Sequence, residues 1–175
     1  MRVALILAVG VTGATVLGGP FLLEAVQFQA LPAGVTVDRI VIRKGERSLT
    51  VFQNGVGLKT YKVALGRVPE GPKRFEGDGR TPEGRYIIDS RKSDSAFHLA
   101  LHLSYPNAAD RAFAEGQGRE AGGRIMIHGV RNGLGFLGPL HRLVDWTNGC
   151  VAVTNREIDE LWRVVRDGTP LELEP

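Results

Sequence analysis

The sequence predicts a mainly β domain with minor α content, in which one or two helices pack against a sheet and a hydrophobic segment precedes the fold. Three observations lead there. From Val37 onward the apolar residues fall in short runs separated by Gly and Pro turns. Asn54-Gly55, the favoured two-residue hairpin pair, lies between two of those runs. The clearest helical spacing follows Thr154, where Ile158, Leu161, Trp162 and Val165 recur every three or four residues. A chain of 175 residues, 43% hydrophobic and 23% charged, can bury one real core and is too short for two ordinary domains.

Taken in order, Val3 to Leu23 follows Arg2 and contains no charged side chain. At about 1.5 Å per residue such a run spans a bilayer core as a helix, while its glycines suit an export signal equally well. Residues 1–30 are therefore expected to be a signal peptide or membrane anchor, residues 31–37 a linker, and residues 38–175 the folded domain. Either route puts that domain outside the cytoplasm, in the periplasm or an equivalent compartment, with N-terminal membrane contact.

Ile40 and Ile42 mark the first strand, Lys44-Gly45-Glu46 a turn, and Leu49 to Phe52 the second strand. Past Asn54-Gly55 the chain returns over Val56 to Leu65. A Gly- and Pro-rich loop runs from Gly66 to Gly84, then Arg85 to Asp89 and Phe97 to Leu103 read as strands, the latter with clean alternation. Asn107 caps a short helix through Phe113, and Arg124 to Ile127 is a brief strand ending at His128-Gly129. In the last helix Thr154 and Glu157 have capping-box spacing, and Gly168 is placed to end it.

Composition also excludes chemistry. Lys and Arg exceed Asp and Glu by only 22 to 19, without polybasic runs, so nucleic acid is not an expected partner. Cys150 stands alone, which leaves it as a buried small side chain or a reactive thiol. His98 and His102 would share an ion on a helix, but on a strand they lie roughly 13 Å apart, so no metal site is expected. Gly133, Gly135 and Gly138 match a dinucleotide fingerprint only by spacing, since Pro139 follows and no βαβ unit surrounds them. No cofactor is expected.

The informative stretch is Ile125-Met126-Ile127-His128-Gly129, then Thr147-Asn148-Gly149-Cys150-Val151-Ala152-Val153. An attacking cysteine needs a base, because its thiol is mostly protonated at neutral pH. His128 can serve, with His141 as a rival nearer in sequence. Gly149 permits a sharp turn and leaves neighbouring amides to stabilise an oxyanion.

These residues resemble the L,D-transpeptidase catalytic domain, the YkuD-like family. The resemblance runs from about Asp38 to Leu173 and takes in Gly71-Pro72-Lys73, Gly77-Asp78-Gly79, Thr81-Pro82-Glu83-Gly84, Ser104-Tyr105-Pro106-Asn107 and His128 through Cys150. It implies a β-sheet or sandwich catalytic domain acting on peptidoglycan stem peptides, with a wall-linked protein as a further partner. By motif, Cys150 is the nucleophile, His128 the base, Gly129 the carbonyl that orients the imidazole, and Gly149 with Cys150 the oxyanion site. Thr147, Asn148, His141, Arg142, Tyr105 and Arg111 are expected to contact substrate. Lys73 and Arg80 are further basic residues near the matched motifs, able to hold substrate carboxylates.

Asn148 and Ala152 depart from the family pattern, in which many members have a second histidine and Asn or Arg at those places. Eighteen residues, Gly129 to Trp146, separate His128 from Thr147, a loop length that suits a lid. The implied reaction is acyl transfer through a cysteine thioester, forming cross-links or exchanging the terminal D-amino acid. The alternatives are hydrolysis of the same thioester and, in another class, a non-catalytic wall-binding module.

Overall fold

The computed structural model describes residues 29–175, so the expectation for Val3 to Leu23 lies outside the described residues. Eight strands form one hydrogen-bonded series, with β1 (Arg39–Arg43), β2 (Ser48–Gln53), β3 (Val56–Lys62), β4 (Gly84–Ser95), β5 (His98–Leu103), β6 (Met126–His128), β7 (Val151–Ala152) and β8 (Pro170–Glu174) in the order β3-β2-β1-β8-β4-β5-β6-β7. Neighbours are antiparallel except β1 with β8 and β6 with β7, which are parallel. Helices α1 (Ala108–Gly116) and α2 (Asn155–Val164), together with 3-10 turns over Gly135–Leu143, complete the fold. Among the described residues no helix is long and apolar enough to cross a membrane.

Local chemistry explains most of these elements. Asn54 and Gly55 both have positive φ, 50° and 79°, as the tight hairpin between β2 and β3 requires. Asn107 caps α1 and Thr154 caps α2, each within a complete capping box closed by Asp110 and Glu157. The helix α2 lays Ile158, Leu161 and Val164 onto the core formed by Ile40, Ile42, Leu49, Leu101, Leu103 and Ile127, all fully buried. Strand β4 serves both halves of the sheet: its first residues pair with β8 and its later ones with β5.

Four expectations need correction. Strand β3 ends at Lys62 instead of Leu65, and the residues beyond it make isolated bridges, Ala64 with Ala152 and Gly66 with Thr147. Gly168 does not end α2. Val165 turns extended, and Gly168, with φ of 86°, sits in the following turn and donates to the Ile88 carbonyl. The C-terminal strand β8 was not expected, because five residues at the chain end carry little periodic signal; Leu171 and Leu173 nonetheless face the core between β1 and β4. The long loop after His128 has structure of its own, 3-10 turns interrupted at Gly138, whose φ of 47° and ψ of −131° break the ladder beside Pro139.

Candidate active site

Parallel pairing of β6 with β7 brings the thiol and the imidazole together. His128 is in register with Ala152, and Cys150 stands two residues earlier, so both side chains leave the same face. Two residues along a strand and one strand across separate their backbones by about 8 Å, a gap two side chains can span. Both line one cavity of about 800 Å³. Its walls include Phe97, Met126, Val130 and Trp146, with Leu134, Leu137 and Leu140 from the 3-10 segment.

Gly149 is held there by sterics as well as conformation. Its φ is 125°, and a Cβ at that position would lie 2.5 Å from the Arg80 carbonyl oxygen. A Cβ on Gly129 would likewise meet the Asn155 Oδ1 at 2.7 Å. Asn155 occupies that space to accept the Val130 N–H at 2.8 Å, tying the start of α2 to the residues after His128.

The imidazole is oriented by its own neighbour. His128 Nδ1 lies 2.7 Å from the Gly129 carbonyl oxygen, which can only accept, so Nδ1 carries the proton and Nε2 keeps its lone pair. Phe97 packs 4.6 Å from the ring and Trp146 5.8 Å, centroid to centroid. Burial among them pushes the His128 pKa down, and the bond to Gly129 only partly opposes that, so the neutral base is the resting form. Burial pushes the Cys150 thiol up, against weaker opposition from the Met126 amide and the Lys73 charge. The resting pair is therefore neutral thiol and neutral imidazole. The thiol donates its hydrogen to the Arg124 carbonyl at 3.6 Å, from a residue held at a φ of 55°.

Thr147 locks the turn before the nucleophile: its hydroxyl donates to the Cys150 carbonyl at 2.7 Å and accepts the Gly149 N–H at 3.1 Å. The Gly149 amide expected to face an oxyanion is thus occupied. Asn148 is exposed and accepts from Arg67. His141 lines the cavity and accepts the Trp146 indole N–H at 3.3 Å; burial, then the nearby Arg142 charge, push it down to about 4.

Other expected contacts lie elsewhere. Tyr105 is buried, donates to the Ala121 carbonyl at 3.0 Å and does not line the cavity. Arg111 folds back on the Pro106 carbonyl, and Arg142 pairs with Glu157; neither reaches the cavity. Lys73 is buried against Asp78 at 2.9 Å, closing the Gly-Asp-Gly loop. His98 and His102 pair with separate carboxylates, Asp159 and Asp89. The sequence reading missed the cations that do line the cavity: Arg67, Lys92, Arg124 and Arg131, with no Asp or Glu among the lining residues. Their side chains converge only through long-range pairing, such as the Arg67 N–H donated to the Thr147 carbonyl at 3.0 Å.

Residues 37–173 match the L,D-transpeptidase catalytic domain, YkuD. The chain belongs to that family. It is 33% identical over 132 residues to the putative L,D-transpeptidase YafK of Escherichia coli strain K12, covering 72% of this chain and 46% of that protein. Among solved structures it resembles the helical cell shape determining protein Pgp2 of Campylobacter jejuni, with a TM-score of 0.58, 25% identity, and coverage of 81% of this chain and 48% of that one. Bd1075 of Bdellovibrio bacteriovorus gives 0.55, 25%, 82% and 49%. The chain thus spans about half the length of these relatives. An L,D-transpeptidase of Xylanimonas cellulosilytica, at 15% identity and a TM-score of 0.51, covering 83% of this chain and 64% of that one, shares the fold. This is the mainly β fold that the sequence predicts.

Proposed function

We propose that this L,D-transpeptidase-family domain transfers the acyl group of a peptidoglycan stem peptide through a thioester on Cys150. The observation that carries the reading is the shared face of β6 and β7, which puts Cys150 and a His128 with its Nε2 lone pair free into one cavity. His128 Nε2 takes the thiol proton as Sγ bonds to the carbonyl carbon of the L-centre residue. Because the Gly149 amide is held by the Thr147 hydroxyl, this reading assigns the developing oxyanion to the Cys150 amide. The C–N bond then breaks, His128 returns the proton to the departing amine, and the D-residue leaves. In the second half an acceptor amine attacks the thioester, its proton passes to His128, and the thiol leaves.

Arg67 and Arg124, on the rim near the nucleophile, suit the free carboxylates that stem peptides present. A cavity of about 800 Å³ lies toward the upper part of the usual ligand-site range of ~300–1,000 Å³, room for a donor and an acceptor together. Gly129 and Gly149 act through the imidazole orientation and the turn. No cofactor takes part in this scheme, and the work is outside the cytoplasm, where stem peptides lie.

The test supplies a tetrapeptide donor with and without a D-amino acid or second stem peptide, then weighs the products. Exchanged or cross-linked products that grow with acceptor concentration support transfer. Shortened peptide alone, at a rate indifferent to acceptor, would make the domain an L,D-peptidase.

A further inference from the structure

Exposed apolar side chains are concentrated in one segment. Leu134, Phe136, Leu140, Leu143 and Val144 are 41%, 81%, 62%, 79% and 65% exposed, whereas the other large exposed hydrophobics among the described residues are scattered singly. Leu134, Leu140 and Val144 also wall the catalytic cavity. Phe136 and Leu143, the two most exposed, do not line it, so substrate in the cavity leaves them uncovered. A patch of this kind marks a surface that something else covers.

We propose that the segment from Leu134 to Val144 seats the domain on a lipid bilayer, with Phe136 and Leu143 dipping into the headgroup boundary. The inference does not depend on which reaction Cys150 performs. Charge supports lipid over a second copy: no Asp or Glu occurs from Ala121 to Val144, and Arg131 beside the patch is exposed. Two such faces brought together would oppose like charges, whereas anionic headgroups complement them. Asp145, the next acid, is tied to Arg47 at 3.0 Å.

The path of the chain points the same way. The 3-10 segment is tied to α2 through Arg142 and Glu157, and the N-terminal end of the described chain is tied to α2 through the Leu31 N–H and Glu160. Glu157 and Glu160 are three residues apart on the helix, hence on one face and about 4.5 Å apart along its axis. The uncharged run Val3 to Leu23 ends eight residues before Leu31. Those residues reach at most about 29 Å when extended. A bilayer holding that run lies within reach of the apolar segment, and the cavity mouth then works at the membrane face.

Brominated acyl chains quench tryptophan that reaches them. Full-length protein carrying Phe136→Trp is bound to vesicles of phosphatidylcholine and phosphatidylglycerol, with and without bromine, and its emission is corrected for Trp146 and Trp162 by the unsubstituted protein. Val56→Trp, at the exposed hairpin between β2 and β3 and outside the cavity lining, is the control for the N-terminal run acting alone. Quenching of Phe136→Trp by about a third or more, with Val56→Trp unchanged, is expected for an interfacial segment. Equal emission from the two variants would overturn the proposal. So would a concentration-dependent blue shift of Phe136→Trp without quenching, which would assign the face to a second copy. Phe136→Asp with Leu143→Asp should abolish the vesicle-dependent protection of this face from proteolysis while leaving turnover of a soluble peptide unchanged.

Discussion

Two buried polar regions flank α2, and they treat burial in opposite ways. At Glu160 the carboxylate is surrounded by partners: Lys59 at 2.6 Å, the Tyr61 hydroxyl at 2.7 Å and the Leu31 N–H. Burial alone would raise its pKa, but these bonds overcome that and hold it below the ordinary value. At Cys150 and His128 no fixed charge of comparable closeness compensates burial, so the thiol goes up and the imidazole down. A satisfied network stabilises and is inert. An under-compensated neutral pair contributes little to the fold and retains a proton to move.

That contrast can be tested by breaking each side, beginning with the largest expected effect. Cys150→Ser should lower turnover by roughly a thousandfold or more, because a hydroxyl is far less acidic, yet shift the melting temperature little. His128→Ala should lose activity too, with partial rescue by added imidazole, while His141→Ala is milder. Steady-state kinetics on a defined stem peptide measure all three.

Glu160→Ala should do the reverse. Removing the acid leaves the Tyr61 hydroxyl and the Leu31 N–H facing a buried gap, a loss of about 3 kcal/mol for a broken buried network. For a domain of this size that is a fall of roughly 6–12 °C in melting temperature. The rate per folded molecule should be retained. A Glu160→Ala protein as stable as the parent would remove the comparison.

The two regions should also separate by pH. His141 and His128 are kept neutral by burial, so the unfolded chain binds protons that the fold does not. Their stability is complete above the ordinary histidine value of 6.5 and is lost as pH falls below it, for His141 over the interval down to about 4. A shift of that size corresponds to roughly 3 kcal/mol. Glu160 is lowered too, here because its charged form is favoured by its partners, so its contribution is present above 4.5 and is lost only as pH falls further, through its folded value. Urea unfolding at a series of pH values should show the histidine window first, and His141→Asn should flatten it.

The smallest expected effect concerns Tyr105. Tyr105→Phe removes one buried bond to the Ala121 carbonyl, worth about 1 kcal/mol, and should leave kcat/KM unchanged. A raised KM would return Tyr105 to the substrate site.

The parts legible in the sequence were those written in neighbouring residues. Asn54-Gly55, Asn107 and the Thr154–Glu157 pair each dictate their own backbone, and the structure has the hairpin and both helices where those residues call for them. Cys150 and His128 stood out because of their flanking glycines. Arg67, Phe97 and Trp146 did not, since their places around His128 and Asn148 come from pairings across tens of residues that no local pattern records. Tyr105, Arg111 and Arg142 show the converse error: residue types suited to binding a carboxylated peptide, but with side chains engaged elsewhere.

In the proposed reaction Cys150 carries the acyl group and His128 is the base that makes it reactive. Acid-quenched mixtures of protein and tetrapeptide donor, analysed by intact mass and peptide mapping, test it most directly. A transient adduct on Cys150 equal in mass to the donor less its terminal D-residue is expected, absent in Cys150→Ser. In His128→Ala that adduct should form slowly at neutral pH and faster as pH rises toward the thiol's own ionisation. Product formation with no adduct on Cys150, or an adduct that forms equally fast without His128, would overturn those two roles.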